Sequence, residues 1–390
     1  MSKLPVGLAI AASPTKSMWT EIPREQLPYW NDRLLQSNAP LQQYPFWNEP
    51  YERLFLTPRH LAWGGPGNAS AYACVLTVGF RGFRIGLVFR GPVSLVESQP
   101  VPAEAIAGLS KWAAREGYVF LRLSPPDEST FATAASTPAA ACEDFFPFYL
   151  DDGDTSPELV VEQQDSDDAM LNSFDREARR KIRRALESGC EIRISDSEQA
   201  LAELWPLYSQ CVARKQFRQE RPLSFYAEMV RAARCHDAVR VYSAWRNGKP
   251  CAMALVVRDR DTAHCPIAAQ DAESAGCSIS TLLHWAAMRD MHKLGTRFYN
   301  LGQAPGSLAR FKQQFSPRAV SCPGVVSLIV DGPRFELWQK VLLPLAKSVR
   351  PTVRKMSGKF YQKNSKLVIP ALTEPSAARY PSATRISRSA

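Results

Sequence analysis

Apolar residues recur at helical spacing in LPYWNDRLLQSN (27–38) and FWNEPYERLFL (46–56), and the pattern then changes to that of strands in SAYACVLTVGF (70–80) and FRIGLVFRGPV (83–93). A tight turn at Arg81 and Gly82 joins the two strands. A helix predicted from Pro102 to Glu116 leads into YVFLRLSPP (118–126), whose alternation and closing prolines mark a strand and its exit. The turn-forming run DDGDTSPE ends this first α/β unit near residue 155.

A second unit follows. FDREARRKIRRALESG (174–189) predicts a basic helix with Phe174, Ala178, Ile182, Ala185 and Leu186 inward and Gly189 as its stop. CEIRISD reads as a short strand, and EQALAELWPLYSQCVARK and PLSFYAEMVRAAR as two helices. RVYSAWRNGKPCAMALVVRD and TAHCPIAAQ then predict three strands in an antiparallel meander, turning at Asn247-Gly248 and again at Arg258 to Asp261. A helix from Ser278 to Leu294, stopped by Gly295, precedes the strand TRFYNLG. The two units resemble each other: KWAAREGYVFLRL and MRDMHKLGTRFYNL both run helix, glycine, strand, with Phe three and Leu six residues after Gly117 and Gly295.

FYNLGQAPGSLARFKQQFSP (298–317) carries the least ordinary pattern. After the loop at Gly302, Pro305 and Gly306, a short helix is predicted in which Leu308, Phe311 and Phe315 share one stripe. Lys312 falls at the edge of that stripe, and Arg310 faces away. A lysine there either snorkels from an ordinary amphipathic turn or holds an ammonium at the lip of a cleft, ready for an anion or a developing oxyanion.

Charge alters the picture mainly at the C-terminal end. The net charge is +10, and residues 333–390 hold 12 Lys and Arg against Glu336 and Glu374, so 12 − 2 = +10 lies there and the remaining 36 of each sign cancel over residues 1–332. Such a segment favours an anionic membrane surface or nucleic acid. Within it LWQKVLLPLAKSVRPTVRK (337–355) is amphipathic with a break at Pro344, and Pro370 to Ala390 has the composition of disorder. The expected division is a flexible 1–26, a first unit 27–155, a second unit 156–332, and the basic segment 333–390. The run LPVGLAIAA (4–12) is too short for a secretory leader, and nothing approaches a membrane span. Nine cysteines without a CxxC pair fit reduced thiols in the cytoplasm.

Several chemistries are absent from the motifs. There is no GxSxG, HExxH, Walker loop or GxGxxG after a strand, and His60, His236, His264, His284 and His292 make no metal-ligand spacing, so no metal is expected. The basic helix carries Arg176, Arg180 and Arg184 in one stripe with Arg179 and Arg183 beside it, which suits either a solvated face or a phosphate. SAGCSIS (274–280) opens a long helix with a serine cap or with backbone N–H groups free for a phosphate.

RRKIRRALESGCEIRI, LLHWAAMRDMHKLGTRFYNLG and LARFKQQF, in that order, resemble the successive signatures of the Fem-type transferases, within the GCN5-related N-acetyltransferase (GNAT) superfamily. The likeness covers residues 174–317, and FRGPV with the upstream helix-Gly-strand unit fits a degenerate first copy. The resemblance implies an α/β (α+β) fold of tandem GNAT-like domains, each a largely antiparallel mixed sheet flanked by helices, around a central cleft. It implies attack of an amine on an activated acyl carbon, the donor being aminoacyl-tRNA in the Fem branch and the acceptor a muropeptide precursor of the cell wall. By the same likeness the lysine of F-K-x-x-F, here Lys312 between Phe311 and Phe315, stabilises the oxyanion.

The expectation is therefore an N-acyltransferase acting in the cytoplasm beside the membrane on a cell-envelope precursor, muropeptide or polysaccharide. Lys312 is the catalytic candidate, with Arg310, Arg180, Arg183 and Arg184 as substrate-phosphate ligands and Tyr299 and Gly302 shaping the cleft. Asp271 and Glu273 could serve as base or as turn carboxylates, and the base is left unassigned. QDAESAGCSIS departs from the glycine-rich Q/R-x-x-G-x-G/A of acetyl-CoA users, while the neutral core departs from a polyanion-binding surface, so acyl-CoA and aminoacyl-tRNA both stay open as donors. The rival readings are an acyl-CoA-dependent transferase of exopolysaccharide or lipid assembly and a catalytically silent membrane or nucleic-acid binding protein.

Overall fold

Each half of the chain builds a mixed sheet of the same strand order, and the first sheet takes one strand from the second half. A computed structural model describes residues 18–80, 82–138, 140–143, 157–215, 221–276, 278–303 and 308–345. Arg81, Pro305, Gly306, the start up to residue 17 and the basic segment from 346 onward lie outside the described residues.

The first half runs β1 (Trp19–Glu21), α1 (Leu27–Leu35), α2 (Pro45–Asn48), β2 (Thr57–Trp63), β3 (Ala71–Phe80), β4 (Phe83–Phe89), β5 (Val93–Ser94), α3 (Ala103–Arg115), β6 (Tyr118–Ser124), α4 (Glu128–Ala135) and β7 (Ala140–Glu143). In the second half β8 (Glu158–Glu162), α5 (Asp167–Ser173), α6 (Arg176–Glu187), β9 (Glu191–Ser195), α7 (Glu198–Lys215) and α8 (Leu223–Arg234) come first. They are followed by β10 (Val239–Arg246), β11 (Lys249–Arg258), β12 (Thr262–Gln270), α9 (Ile279–Lys293), β13 (Phe298–Gln303), α10 (Leu308–Gln313), β14 (Arg318–Val320), β15 (Val325–Ile329) and α11 (Gly332–Leu337).

The sheets are ordered β1-β2-β3-β4-β6-β15-β7, with β5 on β3, and β9-β10-β11-β12-β13-β8-β14. β4 with β6 and β12 with β13 are parallel, as strands joined through a crossover helix must be, here α3 and α9. Superposing the two orders pairs α3 with α9, β6 with β13, β7 with β14, and β15 with β8. The duplication read from the helix-Gly-strand repeats is therefore visible in topology. β8, which opens the second half, lies in the second sheet between β13 and β14, while β15, near the end of that half, completes the first sheet between β6 and β7.

The place of β15 changes the expected division at 332. Val325–Ile329 belongs to the first sheet, and α11 packs there too, Phe335 and Trp338 setting their rings against Phe120. The predicted helices and meander are present, but β1, β2, β7 and β8 were not anticipated. β2 begins Thr-Pro-Arg-His and has no two-residue alternation, and the others are only three to five residues long.

α6 shows how local sequence sets packing. Asp175 caps it by accepting the Ala178 N–H at 2.6 Å, and Gly189 (φ 69°) lets the chain leave in the left-handed conformation. Ala178, Ile182 and Ala185 are buried. Leu186, expected inward, is 43% exposed, because it lies one residue round from that face. The halves meet through α7 and α8: Phe225 packs on Trp47 and Tyr51, and the Arg221 guanidinium sits about 5.5 Å from all three rings. One apolar cluster runs from Trp30 and Tyr44 to Leu255 and Ile267, so the halves share a core.

Candidate functional site

The parallel pairing of β12 and β13 lasts for only three residue pairs, ending at His264↔Asn300. Beyond it the strands part, and the carbonyls and side chains of Cys265 onward and Leu301 onward have no ladder between them. α10 lies beside this gap. Phe311 and Phe315 turn inward, Phe315 wholly buried against Phe174 at 5.3 Å. Lys312, one residue from Phe311, sends its Nζ to the carbonyl oxygen of Gln303, a β13 group that the broken ladder leaves available.

Burial holds the Lys312 ammonium below the ordinary lysine range, while the negative ends of Cys265 and Glu158 pull it back up. Glu158 comes from β8. It accepts the amide of Asn300 at 2.9 Å and faces the guanidinium of Arg90, the residue after β4, at 3.5 Å, so the first half reaches β8 at this end of the second sheet. The Asn300 amide also faces His264 Nδ1 at 3.4 Å, and His264 Nε2 donates to Asp259 at 2.9 Å, which leaves Nδ1 as the acceptor. Gly302 N–H donates to Asn300 Oδ1 at 2.7 Å in the left-handed conformation (φ 70°), close beneath Lys312.

Tyr299 is wholly buried, so it supports this site from behind and presents no face to an open cleft. Its hydroxyl meets His284 Nδ1 at 3.1 Å and shares a hydrogen bond with the Cys265 thiol. Burial pushes the thiol up to about 11 and pushes His284 down to about 4, the Lys312 charge adding to the second effect, so the histidine is neutral at pH 7.

The structure thus brings Lys312, Gly302 and Tyr299 together. Arg310 points away from them, as expected, and is exposed on the other side of α10. There it faces α6: the Glu177 carboxyl is held below its usual range first by the hydrogen-bonded Lys181 and then by Arg310 and Arg180. Arg183 and Arg184 continue that exposed basic face one turn on. Two polar elements therefore flank α10, a desolvated lysine on the β13 side and an arginine surface on the α6 side.

Asp271 accepts the Ser274 N–H at 2.6 Å and serves the turn before α9, and Glu273 is exposed in that turn. Ser278 makes no capping bond, which sets aside the serine-cap reading of SAGCSIS. Sequence reasoning missed Glu158, Asn300, His264 and Arg90. The available signal was a lone Asn in the aromatic strand FYNLG, beside the flagged FRGPV. No group of three or more His, Cys, Asp or Glu among the described residues is placed to hold a metal, and no described helix is long and apolar enough to cross a membrane.

The Acetyltransferase (GNAT) domain family matches residues 172–313. Among solved structures the chain is similar to FemX, at 15% identity with a TM-score of 0.69 over 83% of this chain and 99% of that one. A conserved protein of unknown function from Bacteroides thetaiotaomicron is similar at 10% identity and TM-score 0.57, over 80% and 100%. The C-terminal domain of a proposed lysylphosphatidylglycerol synthetase from Agrobacterium fabrum is similar at 13% identity and TM-score 0.52, over 83% and 96%. No curated protein matches the chain in sequence. The family match spans α6 to α10, the segment that builds the Lys312 site, and the likeness in fold extends over both sheets. The chain is an acyltransferase with a GNAT domain over residues 172–313, set in a Fem-like tandem fold.

Proposed function

We propose that the protein transfers an aminoacyl or acyl group from an activated ester or thioester to an amine of a cell-envelope precursor. The observation that carries this reading is the position of the Lys312 ammonium: desolvated, and hydrogen-bonded to the backbone where β12 and β13 part. An activated donor already has a good leaving group, so alignment, exclusion of water and positive charge at the carbonyl oxygen suffice. The amine nitrogen forms a bond to the acyl carbon, the carbonyl oxygen becomes an oxyanion beside Lys312, and the bond to the donor's oxygen or sulfur then breaks. The amine proton passes to a carboxylate, our candidate being Glu158, whose charge is felt by Lys312, and that carboxyl then protonates the leaving group. Lys312 releases Gln303 O as the oxyanion forms.

The name of the similar lysylphosphatidylglycerol synthetase domain, an aminoacyl-bearing lipid maker, supports an aminoacyl donor and an envelope acceptor. The GNAT family match supports acyl-CoA instead. Exposed Arg180, Arg183, Arg184 and Arg310 would meet phosphates of either donor or of the acceptor. The deciding experiment is thermal melting of the full chain with acetyl-CoA and with aminoacyl-tRNA, followed by turnover with the donor that protects. Lys312→Ala is expected to keep that protection and to lose about 10²- to 10³-fold in kcat. Full turnover by the variant would remove the oxyanion role, and protection by neither donor would remove the transfer reading.

A further inference from the structure

The last helix is bolted to the protein on one side and carries a row of exposed apolar residues among its polar ones on the other. α11 passes through a wide π turn at Trp338–Leu342 and stays helical to Leu345, through the Pro344 at which a break was expected. Proline has no N–H to give and crowds the preceding turn, and a widened turn accommodates it. The inner face is fixed by Phe335 and Trp338, whose rings lie 5.0 and 6.0 Å from Phe120, and by Phe83 at 6.2 Å from Trp338. Leu337 and Val341 are turned outward, 47% and 44% exposed, and Leu345 extends the four-residue spacing at 56%. Arg334 and Lys340 lie on the same exposed helix, paired with Asp331 at 3.5 Å and Glu336 at 2.8 Å, so the helix itself is balanced in charge.

The charge that follows points to the partner. Residues 346–390 hold ten Lys and Arg against Glu374, a net 10 − 1 = +9, while residues 1–332 are balanced at 36 of each sign. An exposed apolar row therefore runs directly into the most basic part of a chain that is otherwise neutral. Nucleic acid would use the charge and leave the leucines in water. A second copy would cover the leucines but bring two basic segments together. Anionic lipid uses both, taking apolar side chains into the acyl boundary and lysines and arginines at the headgroups.

We infer that the outer face of this helix, with the basic segment after it, docks the protein on an anionic phospholipid bilayer. The inference does not depend on the acyl-transfer reading. It is tested by sedimenting the full-length chain with vesicles of equal phosphatidylglycerol and phosphatidylcholine, and with phosphatidylcholine alone. Binding to the anionic vesicles is expected to be at least tenfold tighter than to the neutral ones and to weaken in high salt. Leu337→Ser/Val341→Ser, at exposed positions, is expected to lose at least tenfold in binding with an unchanged melting temperature. Arg350→Gln/Arg354→Gln/Lys355→Gln, which leaves the apolar row intact, should lose as much.

Equal binding to both vesicle types would overturn the inference. So would wild-type binding by the serine variant, since the charge alone would then explain the attraction. A dimer that the serine variant converts to monomer would assign the face to a second copy. Displacement of the vesicles by tRNA, with the serine variant binding tRNA as wild type, would assign the segment to nucleic acid.

Discussion

His284 sits among the rings of Tyr299, Phe311 and Phe315 and is neutral at pH 7, its pKa pushed down to about 4 by burial and by Lys312. Unfolded, the same imidazole takes its proton near 6.5. Between these values the unfolded chain binds one more proton than the native one, so stability falls as pH falls from about 6.5 toward 4. The loss reaches about 2 to 3 kcal/mol by pH 4.5. Urea unfolding of wild type and His284→Gln at pH 7 and pH 4.5 checks it: the wild type should lose that much more than the variant, and equal losses would show that the imidazole is not the titrating group. Lys312 was legible in the sequence because helical spacing separates it from Arg310 within five residues of Phe315. Its companions were not, since Glu158, His264 and Asn300 come from β8, β12 and β13, strands brought together by the order of the sheet and not by any local spacing.

Elements that rest on local chemistry were read well. The basic helix starts at its Asp175 cap and stops at Gly189, and the meander turns at Asn247-Gly248, both residues in the left-handed region. α6 also positions the site, because the Asp175 N–H donates to the Gln314 carbonyl at 3.0 Å and Lys181 reaches the Gln314 side chain at 3.0 Å, tying the start of α6 to the end of α10. Loss of a cap carboxylate costs about 1 kcal/mol. Asp175→Ala is therefore expected to destabilise the protein by about 1 kcal/mol in urea unfolding, with Asp175→Asn recovering most of it. Equal losses in the two variants would mean that the side-chain cap contributes little beyond its charge. The strands that escaped prediction lack such chemistry: β2 carries Pro58, Arg59 and His60, and the Pro58 it tolerates gives no periodic signal.

At the scale of the whole molecule, the place of β15 in the first sheet makes the two units one folding problem. The first sheet is incomplete without a strand from the second half, and the apolar cluster through α7 and α8 is continuous with that of the first half. A linear reading of the sequence, which assigns each strand to the unit it is next to, cannot find such a crossing; it places 325–329 with the second unit and leaves the first without its neighbour for β7. Val326 tests the consequence. It is wholly buried in β15, opposite Leu123 of β6 and Cys142 of β7. Val326→Asp places a carboxylate without water where two strands meet, and a buried, unpaired charge of this kind costs about 3 kcal/mol or more. If the halves are coupled as the topology requires, the loss appears in both. Tryptophan fluorescence, reporting Trp63 and Trp112 of the first half and Trp245 and Trp285 of the second, should then shift in one transition that coincides with circular dichroism. Two separated transitions, with only the first-half signal moved by the substitution, would show that the sheets fold independently despite the strand that crosses between them.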